Sequence, residues 1–336
     1  MPNLNELLVA FGKAKQTDLV TANLVGGLWR LGNINRTLAD PQFVNENDET
    51  WLGKGHEFAT QQFLSHVAPQ PHPMEKYLSS EFAAHMWAFG LGKVVKTGAG
   101  PFTYTCTPML GAADGDEQPS FSYVEQMRPG ANVVIDRMLV GCVISNFEIA
   151  ISRGPGLANA RATVNFMHSG KITEPSGIAM PAETAENLLN AYSLTATFLT
   201  EDYVALKTFE SLNLGWDNQL RDGFYPSSGQ QEGYQIQGRL EYGDRVPTFN
   251  YVARLTKDST EHDKVKALTT GTAVFSLTKD ANNSMTVTWQ KMSFQTATIG
   301  EAEGKVIVQV TGKPLYHSSN GLVTAVVVTP VDGICQ

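Results

Sequence analysis

The sequence predicts a mainly-β protein: an antiparallel β-sandwich or barrel with one principal α-helix packed on it and a long N-terminal arm. Three observations carry that expectation. Windows of period-two alternation, dominated by Thr, Val and aromatic residues, recur along most of the chain. Gly-, Asn- and Asp-rich turn chemistry separates them. Only one stretch carries a strong helical repeat.

Residues 1–74 read as the arm. They are polar and irregular, with Leu24, Val25, Leu28, Trp29, Phe43 and Trp51 as scattered apolar anchors and an acidic, turn-like Asn45–Glu49. Such a segment makes no core alone, so it lies on its own domain or docks on a neighbouring subunit. After the proline-rich Pro69–Pro73, Ser79 or Ser80 caps the main helix. Tyr77, Phe82, Met86 and Phe89 recur at helical spacing, Ala83, Ala84 and Trp87 widen the apolar face, and Gly90 and Gly92 supply the stop. Shorter helical stretches are expected at Glu183–Tyr192 and His262–Leu268. Strands are expected around Val143–Ile151, Ala162–Phe166, Leu194–Leu199, Ile236–Tyr242, Phe249–Leu255, Ala273–Thr278, Met285–Trp289 and Val306–Val310. Turns fall at Gly154–Gly156, Tyr242–Asp244, Asp280–Ser284 and Asn320–Gly321, the third closing the clearest hairpin. The helix is expected to cover an open edge or face of the β-structure.

Composition narrows the function classes. Apolar residues make up 42% of the 336 and charged residues 17%, against about 25% in ordinary soluble domains, which excludes a disordered chain. The formal net charge of −8 argues against phosphate binding by charge neutralisation. No apolar run reaches the roughly 18–20 residues of a spanning helix, and Val323–Val328 has strand length. The N-terminal residues lack the pattern of a secretory signal. Cys106, Cys142 and Cys335 are odd in number and widely spaced, so a reducing compartment, the cytoplasm, is the default expectation.

Candidate chemistry is sparse. The sequence contains no GxSxG, HExxH or P-loop motif. Gly90–Lys93 has a faint phosphate-loop look but follows a helix, which favours a C-cap. His56, His66 and His72 lack metal-ligand spacing. His85 and Cys142 read as packing residues. Asp114 with Asp116, and Glu201 with Asp202, are the carboxylate pairs a glycosidase would need, but they sit in loops or at strand margins. Glu301 and Glu303 read as a charged turn. The expectation is no enzyme, no cofactor and no metal.

Two segments carry a resemblance. Pro119–Gly170 contains a strand, a glycine turn and then Gly141–Ile151 in the form G-C-V-I-S-N-F-E-I-A-I; Phe209–Leu255 contains Ser211–Leu220, S-L-N-L-G-W-D-N-Q-L, and a long amphipathic hairpin. Together they resemble the major tail tube proteins of long-tailed bacteriophages or prophages, over about residues 75–315. The resemblance implies a tail-tube β-sandwich at 75–315, preceded by the arm and followed by a C-terminal extension at 316–336. Two fused β halves would meet near 171–190.

It further implies a virion structural subunit that joins copies of itself into rings, usually hexamers. Stacked rings form a tube whose lumen serves DNA and the tape measure protein, with tail-end proteins as further partners. Trp29, Phe43 and Trp51 become candidate subunit-interface anchors, since aromatic residues are enriched at interface centres. Glu201, Asp202, Glu241 and Asp244 become candidate lumen acids that repel DNA phosphates. A carbohydrate-binding β-sandwich, using Trp216, Phe224 and Tyr225 to stack on sugars, is the alternative. A hydrolase and a capsid protein rank below it.

Overall fold

A computed structural model describes residues 7–30, 32, 42–51, 57–68, 71–109, 118–128, 133–152, 160–199, 201–202, 209–224, 230–231, 234–235, 239–257, 259–302 and 304–336. The first strands are β1 (Leu7–Gly12), β2 (Leu28–Arg30), β3 (Gln42–Trp51), β4 (Glu57–Ala68) and β5 (His72–Tyr77), followed by helix α1 (Ser80–Leu91). Next come β6 (Gly92–Thr97), β7 (Phe102–Pro108), β8 (Phe121–Met127) and the long β9 (Ile135–Ser152). Then follow β10 (Arg161–Met167), β11 (Ile172–Thr173), β12 (Thr195–Phe198), β13 (Glu201–Asp202), β14 (Phe209–Asp217), β15 (Leu220–Phe224), β16 (Gln230–Gln231), β17 (Tyr234–Gln235), β18 (Arg239–Tyr242) and β19 (Val246–Arg254). The chain closes with α2 (Glu261–Lys266), β20 (Thr270–Asp280), β21 (Asn283–Ala302), β22 (Lys305–Pro314) and β23 (Val323–Thr329).

Two antiparallel layers face each other. One runs β5–β10–β9–β14–β19–β22–β21. The other runs β13–β12–β20–β21–β23–β7–β6. Strand β21 belongs to both: its first half pairs with β20 and β23, its second half with β22, and a bulge between Phe294 and Thr296 marks the change. A bulge is the usual device for bending a strand between sheets. Strand β9 is also shared. Its first half joins β8 and β11, with β1 and β2 continuing that sheet beyond β8, and its second half enters the sandwich.

The layers meet through aromatic side chains. Trp216 of β14 stacks on Trp289 of β21 with ring centroids 6.4 Å apart, and Phe198 of β12 meets Phe249 of β19 edge-on at 4.9 Å. Helix α1 lies between the layers and is buried on every side. Its Trp87 packs against Phe147 of β9 while donating its indole N–H to the sulfur of Met285 on β21. The apolar all-round composition of Phe82–Leu91 has this physical meaning: the helix fills the core in place of covering an edge.

Several expectations need correction. Residues 183–192 are not helical. They form a strap ending in one 3-10 turn, Ala191–Ser193, because Asn187 O accepts from Ser80 N at the start of α1 and Leu189 N donates to Leu78 O just past β5. Asn45–Glu49 lies within β3, paired to β4 with bulges after Val44 and Asp48. The arm is not wholly irregular, since β1 is buried and pairs with β2 and β8. Residues 316–336 are no extension: β23 sits inside the second layer, and Cys335 N donates to Lys13 O. The turn expected at 154–156 lies outside the described residues. Elsewhere the expected strands are present, with only Arg239–Tyr242 of the 236–242 window among the described residues, as are the hairpin turn within Asp280–Ser284 and a helix near His262.

Candidate assembly surfaces

The region carrying the resemblance is a structural lock around the C-terminus of α1. Ser79 caps the other end, its hydroxyl accepting from Phe82 N at 3.1 Å. The last turn of α1 carries no basic side chain to meet its end carbonyls. Side-chain amides do: Gln118 Nε2 donates to Phe89 O and Gly90 O (2.7 and 2.8 Å), and Asn218 Nδ2 donates to Gly90 O (3.0 Å) and Ile144 O (2.9 Å). Asn218 Oδ1 accepts the Trp216 indole N–H at 2.8 Å, and its backbone N–H reaches Ser145 O at 2.7 Å. One buried amide therefore ties the helix to β9 and β14. The stop itself is Gly92, with φ near +95°, and not Gly90; Gly90 lies so close to the Phe147 ring that any Cβ would collide.

Gly141 is the hinge of β9. Its φ of +67° and the close approach of Leu19 O leave no room for a side chain, and its N–H donates to the buried Gln16 side chain at 3.0 Å. The glycine that opens the G-C-V-I-S-N-F motif thus marks where the strand passes from one sheet to the next.

A charged knot fixes the arm. Lys76 and Glu186 form a buried ion pair; Lys76 Nζ also donates to Gly32 O at 3.2 Å and lies over the rings of Trp29 and Phe82. Burial lowers the Lys76 pKa and raises that of Glu186, each against the pull of its partner. Glu81 accepts two hydrogen bonds from Asn187 beside them. A second buried group is aromatic: His85 and His72 sit among Phe11, Phe121, Tyr123 and Phe166, with His168 close by. Burial pushes His72 and His168 down to about 4 and His85 to about 3. None of the three is the exposed loop histidine or base that a reactive site would use.

The sequence-derived site residues scatter across the fold. Trp29 is 1% exposed and packs on Phe82 and His85 inside its own subunit, so its ring is not offered to a neighbour; β2 pairing with β1 draws it into the core. Phe43 and Trp51 lie on β3 opposite Val67 and Glu57, with their side chains outside the described residues. Glu201 and Asp202 form β13, opposite Phe198 and Thr197; Glu241 is opposite Arg221 in the β15–β18 pair; Asp244 is exposed before β19. The side chains of Glu201, Asp202 and Glu241 lie outside the described residues. Trp216, proposed above as a sugar platform, is buried.

The layer from β13 to β6 ends on an open edge at each side. Among the described residues β6 pairs only with β7, and β13 only with β12, at opposite ends of one seven-strand layer. Among them too, no helix is long and apolar enough to cross a membrane, and no group of three His, Cys, Asp or Glu could hold a metal. Sequence reading missed the roles of Asn218, Gln118 and Lys76, because each is polar and local pattern places it in a turn or on a strand surface.

Comparison with curated proteins finds no match to this sequence. A family model described as phage tail tube protein matches residues 77–314, well over half of the chain and nearly the span of the resemblance. The chain belongs to the phage tail tube protein family.

Proposed function

We propose that the protein is the repeating subunit of a hollow tail tube, a conduit for DNA during ejection. Copies join edge to edge into closed rings, with six as the expected number, and the rings stack into a tube. The observation that carries this reading is that, among the described residues, β6 and β13 each pair on one side only and lie at opposite ends of one layer. An open strand edge is an aggregation hazard in a monomer, and a heterologous contact that closes on itself satisfies both edges at once. Tape measure and tail-end proteins are the further partners of such a tube, the virion tail is its location, and its work is done without catalysis.

The acidic balance fits the task. Each copy brings a formal −8, so the assembled tube resists holding the phosphate backbone by cation clusters. Negative-stain microscopy of the purified chain tests the reading. Rings or tubes of uniform diameter support it, and single featureless particles at every concentration overturn it.

A further inference from the structure

The two outward faces of the sandwich differ in chemistry. On the layer from β12 to β6, strand register aligns Thr195, Ser276, Thr286, Val326, Thr105 and Val95 in one row across six strands. At about 4.8 Å per strand the row spans about 24 Å. On the four central strands the outward positions within Thr270–Thr278, Ser284–Gln290, Thr324–Val328 and Thr103–Thr107 hold only Thr, Ser, Val and Gln. Register puts charged residues at the two margins, Lys93 opposite Thr107 and Asp202 opposite Thr197. The other layer faces outward with Glu148, Lys313 and the ion pairs Arg161–Glu75 and Arg254–Glu210.

Resting on the proposed tube, we infer that the threonine–valine face is the wall of the conduit and that the charged face points away from the DNA. Each lysine or arginine that neutralises a phosphate adds to binding, so a wall with Arg161, Arg254 and Lys313 on it would hold the duplex. The threonine–valine face offers no such cation across its centre. Its side chains are short and mostly β-branched with restricted χ1, so they make a flat, stiff surface that does not wrap around a groove or a phosphate. Hydroxyl groups between the valines keep the face wetted and interrupt the contiguous apolar patch that docking of another protein would require.

Single cysteines test the assignment, because Cys106, Cys142 and Cys335 are all buried. Val326→Cys and Thr105→Cys report on the proposed wall, and Thr311→Cys, exposed on the opposite layer, is the control. Assembled tubes are treated with a small maleimide dye or with a large polyethylene-glycol maleimide. Cysteines 326 and 105 are expected to take the dye and to lose reaction with the large reagent until the tubes are dissociated, while cysteine 311 takes both. Reaction of 326 or 105 with the large reagent on intact tubes overturns the inference, as does protection from both reagents, which would mean a face covered by another copy. If one of the two variants fails to assemble, the other decides. Failure of the native chain to form tubes removes instead the reading on which the inference rests.

Discussion

Asn218 looks ordinary in the sequence, one polar residue after an Asp in what reads as a strand end. In the fold it is fully buried and serves the carbonyls of Gly90 and Ile144 and the Trp216 indole together. Asn218→Ala removes three buried side-chain hydrogen bonds, at about 1 kcal/mol each, and leaves Gly90 O with Gln118 alone. Urea unfolding should show a loss of about 3 kcal/mol with an unchanged slope; an unchanged midpoint would refute the role given to this amide. The buried histidines give a pH signature. Their folded-state pKa values lie below the ordinary 6.5, so the fold favours the neutral form. That stability is complete above pH 6.5 and is lost as pH falls toward 4, by up to about 3 kcal/mol per histidine. The acids held low, Asp18, Asp136, Asp280 and Asp332, already start from an ordinary value of 3.8, so their losses come at lower pH. Midpoints measured from pH 7.5 to 4.5 should fall, and His85→Phe, a ring of similar size among aromatic neighbours, should flatten the slope. A flat profile in the native protein would contradict the burial argument.

At the scale of elements, alternation exposed most strands because one side of each faces the core and the other faces outward. It failed where both sides are covered. Strands β1 and β8, LLVAFG and FSYVEQM, are buried on both faces and show no clean period. It also split long strands: β9 turns at Gly141 and β21 at its bulge, so each looked like two pieces or only one. The 183–192 strap misled because its Leu and Ala residues suit a helix, while its actual conformation is set by long-range partners, Glu186 with Lys76 and Asn187 with Glu81. Lys76→Met leaves Glu186 buried and uncompensated and should cost about 3–5 kcal/mol, whereas Lys76→Met with Glu186→Leu should recover most of it. Thermal and urea unfolding of the three proteins measures this. A double variant as weak as the single one would mean the pair acts through packing alone.

For the whole molecule, the resemblance located the family, and the reason is structural: Gly141 and Asn218 are positions where backbone geometry and buried hydrogen bonds dictate the residue. The candidate assembly residues were less legible. An aromatic residue in an arm reads alike whether it packs inward, as Trp29 does, or outward toward another copy, because that choice is made by strand pairing far away in sequence. The neutral face was visible in principle, since the outward half of FTYTCT, SMTVTW and VTAVVVT is threonine, serine or valine where lysine or glutamate is usual. The most direct measurement of the central claim is a cryo-electron microscopy reconstruction of the assembled protein. The account predicts closed rings in which β6 of one subunit lies about 4.8 Å from an edge strand of the next, continuing the sheet. A monomer, or a ring in which both β6 and β13 stay unpaired and subunits meet elsewhere, would contradict it.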